Sequence, residues 1–237
     1  MLIAIVLLTS PAAATQASPS GASYVWSAPF SGFGSAAVSA SNNPCPGENY
    51  TLVSPPFFNL TNGHFGVAQT ASVTASHCKF QTKSTALFIL KYRYFFHSNL
   101  SGARVFRTLW SLAWSSNLSS DVTNLSGGRS YHTHASFGWF VNESVQDRTL
   151  DSPLVRAEFS GGVTVSGTST EVVARDSSLN FPFQTTYVLT KGHFYEVSLE
   201  LTLKITTAAD GNGNSASASL VVGLSAQPSE LREIQFK

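Results

Sequence analysis

Tyr195-Glu196-Val197-Ser198-Leu199-Glu200-Leu201-Thr202-Leu203-Lys204-Ile205-Thr206-Thr207 alternates apolar and polar side chains. Tyr195, Val197, Leu199, Leu201, Leu203 and Ile205 occupy the odd positions, and Glu, Ser, Thr and Lys fill the even ones up to Thr206. A period of two marks a strand with one face buried. At about 3.3 Å per residue the stretch runs roughly 40 Å. It needs equally long partners and an apolar layer over its buried face. The chain is therefore expected to be all-β, an antiparallel sandwich of jelly-roll type folded as one large domain.

Two further stretches share that alternation. Thr85–Ser98 places Phe88, Leu90, Tyr92, Tyr94 and Phe96 on one face, with Lys91 and Arg93 on the other. Ala103–Ser116 places Phe106, Trp110, Leu112 and Trp114 on one face. The short Gly102-bearing link between them predicts an antiparallel hairpin. Tyr131–Val141 alternates again, with His132, His134 and Ser136 facing outward. Ala208–Asn214 reads as a hairpin loop and 215–224 as its return strand. Loops are expected at 42–47, 55–66 and 117–129, and a helical turn at 143–152. Short strands are expected at 154–159, 162–166 and 170–174. In all, about ten to twelve strands are expected, with no internal repeat.

Of the 237 residues, 43% are hydrophobic and 11% charged, against about 25% charged in an ordinary soluble domain. Ser, Thr, Asn and Gly replace the missing charge. The net charge of +1 sets up no global field for nucleic acid or anionic membrane. Such a surface suits an extracellular protein.

Three features agree with export. Leu2–Leu8 is apolar and is followed by small residues through Ala17, which reads as a signal peptide over 1–17. That run is too short to cross a bilayer, and no longer apolar run follows. A Ser/Pro/Gly-rich segment with a candidate edge strand covers 18–34, and the sandwich domain is expected over 35–237. Cys45 and Cys78 are the two cysteines, and an even pair in an exported chain suggests one disulfide. Sequons at Asn49, Asn59, Asn99, Asn117, Asn124 and Asn142 offer glycosylation positions.

Four constellations carry possible chemistry. His132 and His134 point the same way on a strand, as a metal-chelating pair would. Asp210, Asn212 and Asn214 imitate the start of a calcium loop, although Ser215 and Val221 stand where Gly and Glu belong. Lys91, Arg93 and Arg107, with the histidines, form a basic face for an acidic glycan or sulfate if their strands are neighbours. Trp110 and Trp114 are rings that either fill a core or stack on carbohydrate. No GxSxG, HExxH, P-loop or GxGxxG motif is present, and no cofactor is implied.

The first functional expectation is a secreted or cell-surface binding or adhesion module whose partner is a glycan or surface protein. The second is a filament subunit self-assembled by strand donation through Tyr24, Trp26 and Phe30. A metal- or carbohydrate-dependent extracellular enzyme ranks third.

Overall fold

The computed structural model describes residues 23–42, 48–75, 82–122, 133–151, 155–167, 171–210, 213–224 and 228–237. Cys45, Cys78, Asn124, His132, Asn212 and the expected signal segment 1–17 lie outside them. The described residues form β1 (Tyr24–Ser27), β2 (Phe33–Asn42), β3 (Glu48–Phe58), β4 (His64–Thr74), β5 (Thr82–His97) and β6 (Gly102–Asp121). Then follow β7 (Thr133–Asp147), β8 (Val155–Gly167), β9 (Glu171–Leu189), β10 (Phe194–Ala209), β11 (Ser215–Val222) and β12 (Ser229–Phe236). All pair antiparallel in two sheets that make one β-sandwich.

The five-stranded sheet has the order β2-β5-β10-β7-β8. The organising stretch is its central strand. β10 pairs with β5 from Phe194↔His97 to Ala209↔Thr82, and with β7 from Tyr195↔Asp147 to Ala208↔His134. Val197, Leu199, Leu201, Leu203 and Ile205 are all buried. The seven-stranded sheet covers them. Its longest pairing joins β6 to β9 from Gly102↔Leu189 to Ser120↔Glu171. The other edge of β6 carries β12 beside Phe106–Ser111 and β11 beside Trp114–Asp121. β4 lies beyond them, β3 lies on the outside of β4, and β1 pairs with β12. Phe65, Phe106, Trp110, Leu118, Leu220 and Phe236 supply that sheet's share of the core.

Several expectations are corrected. β5 and β6 are not a hairpin, because they belong to opposite sheets. The same holds for β10 and β11. Only the connections β3–β4, β7–β8 and β11–β12 stay within one sheet. Alternation reports which face is buried but not which strand lies alongside. Asn117–Asp121, expected to begin a loop, continues β6 because β9 and β11 flank it. Pro55 and Pro56, expected in a loop, lie within β3. There the pairing with β4 shifts between Leu52 and Phe57, and an edge strand tolerates the missing N–H groups. Glu143–Asp147 extends β7 with no helical turn. The short strands expected after residue 154 merge into the continuous β8 and β9. β2, which begins before residue 35, was not anticipated. Its small residues Ala36 and Val38 are buried.

Candidate functional site

The even positions of β10 face away from the core, so the register fixes their neighbours across the outer face of the five-stranded sheet. Thr206 lies between Thr85 and Ser136, and those two pair with Ser41 and Thr164. Five hydroxyl residues thus cross five strands in one row. On one side of this row, Lys83 and His134 flank Ala208. On the other, Lys204 is followed by Gly138 and then Gly162.

The paired glycines leave a trough. A Cβ on Gly162 would sit 2.5 Å from the Phe137 carbonyl oxygen, so a side chain there would have to displace the sheet itself. The open groove has a volume of about 390 Å³ and is lined by Lys83, His134, Lys204, Ser136, Thr164 and Thr206 around that glycine floor. No carboxylate is among its described lining residues. Two ammonium groups, an imidazole and a row of hydroxyls suit an anion on a hydroxylated scaffold. Ammonium groups act as strongly hydrated point charges, so attraction here falls as salt rises.

The basic face expected from Lys91, Arg93 and Arg107 does not form. Lys91 pairs with Glu200 at 3.1 Å, and Arg93 is bonded to Glu196. Arg107 is on β6, in the opposite sheet. The strands that do meet bring Lys83 and Lys204 to His134 instead. Both lysines have outward strand parity in the sequence, but their convergence depends on register.

His134 is half-buried on the outer side. Among the described residues no group of three or more His, Cys, Asp or Glu gathers as a metal site. Asn214 is fully buried and its amide donates to the Asp210 carbonyl at 2.6 Å. That bond closes the turn. Trp110 is 1% exposed, and its indole N–H donates to Glu143 Oε1 at 2.7 Å. A ring that stacks on sugar needs an open face, so Trp110 is core. Trp114 is half-buried and packs on Phe137, with centroids 5.7 Å apart. Asn49, Asn59, Asn99 and Asn117 are exposed, and Asn142 is half-buried. Tyr24, Trp26 and Phe30 are buried in this chain's own core, where Trp26 meets Tyr94, Phe96 and Phe236.

Three polar clusters escaped sequence reasoning. Glu143 is 1% exposed, between the sheets. Asp147 Oδ2 and His193 Nδ1 lie 2.7 Å apart where β7 and β10 end together. Arg93 and Arg148 converge on one buried carboxylate, Glu196. The signal that could have placed Glu143 and Asp147 inward is parity, since the odd series continues Val141, Glu143, Val145, Asp147.

Comparison with protein families and with curated proteins finds no match. Among solved structures, the enzymatically active domain of bacteriophage CBA120 tailspike protein 4 is similar over 79% of this chain and 19% of that one, at 12% identity and a TM-score of 0.20. The chain thus spans about a fifth of that protein's chain, and the likeness carries no argument about fold or function.

Proposed function

We propose that the protein is an extracellular binding module whose five-stranded sheet takes an anionic glycan on its outer face. The groove that brings Lys83, His134 and Lys204 together around a glycine floor carries this reading. Burial of Tyr24, Trp26 and Phe30 in their own chain supports a self-contained module over a donated strand. The exposure of the sequon asparagines Asn49, Asn59, Asn99 and Asn117 supports an extracellular, glycosylated module.

A Cys45–Cys78 disulfide belongs to the same proposal.

Heparin immobilised at low ionic strength tests the groove. Retention that salt abolishes, and that a Lys83→Glu, Lys204→Glu double variant loses, supports the proposal. Passage of the folded wild-type protein through the column without retention overturns it.

A further inference from the structure

At the far end of the same face, Arg93 and Arg148 grip Glu196 from both sides. Arg93 uses Nε and Nη2 on Oε1, and Arg148 uses Nε and Nη2 on Oε2, its Nε at 2.7 Å. Glu196 is 4% exposed at its side chain, whereas Arg93 and Arg148 keep 51% and 36% of theirs open. Both guanidinium groups therefore spend one edge on the carboxylate and leave Nη1 over. Two cations share one anion, so the cluster has excess positive charge. Glu200, in the same outward series of β10, pairs with Lys91.

Aromatic rings border this clamp. Phe95 and Phe194 stack with centroids 5.7 Å apart and planes 14° from parallel. His97 lies on the other side of Phe194, at 4.8 Å. The Arg93 guanidinium carbon stands 5.7 Å from the Phe95 ring centre. Phe33, opposite Arg93 on β2, is 69% exposed. Phe95 and His97 flank Phe194, so the open ring is that of Phe33, and an exposed ring next to outward N–H donors fits one chemistry well. The C–H face of a pyranose lies on the Phe33 ring, and a carboxylate on that sugar meets the arginines as a charge-assisted acceptor.

We propose that Arg93, Arg148 and Phe33 form a binding site for a carboxylated sugar residue, such as a uronic acid. The clamp on Glu196 holds both guanidinium groups in place before the ligand arrives, so less side-chain entropy is lost on binding. This site extends the anion-binding reading to a second place on the face. It shares no residue with the groove, so either can fail alone.

The test is NMR titration of the labelled full chain with methyl glucuronide and methyl glucoside. The expected result is that the glucuronide shifts the Phe33 ring signals and the arginine Nε–H signals, with affinity roughly tenfold above the glucoside. Phe33→Ala and Arg148→Met each lose that binding, while Lys204→Glu keeps it. Arg93→Lys keeps the charge but loses the paired N–H edge, and weakens binding without exposing Glu196 to an uncompensated site. Equal response to both sugars, response confined to the groove, or no response by the folded wild-type protein overturns the proposal.

Discussion

Trp110 on β6 donates its indole N–H across the interior to Glu143 on β7, at 2.7 Å. Thr108 donates its hydroxyl to the same oxygen, Oε1. The second oxygen, Oε2, is buried without a hydrogen-bond partner. A carboxyl group with one doubly bonded oxygen and one bare oxygen suits a proton on the bare one. Burial pushes Glu143 up from 4.5 to about 7, against the opposing pull of the Thr108 and Trp110 bonds.

The sign of the pH effect follows. An acid whose folded pKa is raised gives full stability below its unfolded value and loses it as pH rises towards the folded one. Unfolding free energy is expected to fall by up to about 3 kcal/mol from Glu143 alone between pH 4.5 and 8. Glu143→Gln keeps an acceptor for Trp110 and flattens this slope. Urea midpoints across that range check it. A wild-type slope unchanged in the variant would refute the assignment.

Asp147 works in the opposite direction. Burial raises its pKa, but the bond with His193 and the N–H groups of Leu150 and Thr149 outweigh burial and hold it below 3.8. A depressed carboxylate gives stability that is present above its unfolded value and lost as pH falls through the folded one. His193→Ala is expected to lower the melting temperature at pH 6 by about 2–4 °C and to make the acid limb shallower. The two groups thus give opposite slopes, Asp147 on the acid side and Glu143 above its ordinary value of 4.5.

Trp26 is 6% exposed and closes one end of the core. Trp26→Ala is expected to cost about 3–5 kcal/mol, read from chemical denaturation. Its sedimentation should remain that of the wild-type protein. A change in assembly state with unchanged stability would instead favour strand donation.

Charge reversal in the groove should act through salt. Lys204→Glu alone is expected to weaken heparin binding and to reduce the dependence of affinity on ionic strength. Surface plasmon resonance at two salt concentrations measures both. Val188→Glu, on an exposed position of β9 in the opposite sheet, serves as the control and should leave the salt dependence nearly unchanged.

Alternation made the sandwich and the inward residues of β5, β6 and β10 legible in the sequence. Phe88, Leu90, Phe106, Trp110, Leu199 and Leu203 are all buried as their parity requires. Pairing was not legible, because a strand's neighbour is set by which sheet edge the chain reaches after crossing. For that reason the β5–β6 hairpin failed, and Arg107 parted from Lys91 and Arg93. Gly138 and Gly162, which shape the groove, meet only through the β7–β8 register. Glu143 was hidden for another reason: its charge argued for solvent, although its parity argued for the core.

Chain order has a consequence for biosynthesis. β1 pairs with β12, so Tyr24 meets Phe236 at the opposite end of the chain. β5 and β7 each bond to β10, which is made after both. A polypeptide emerging N-terminus first therefore carries an unclosed β1 and two halves of the five-stranded sheet until β10 and β12 have left the ribosome. Most of the cooperative gain arrives once β10 and β12 are available, and the nascent strands need protection from one another until then.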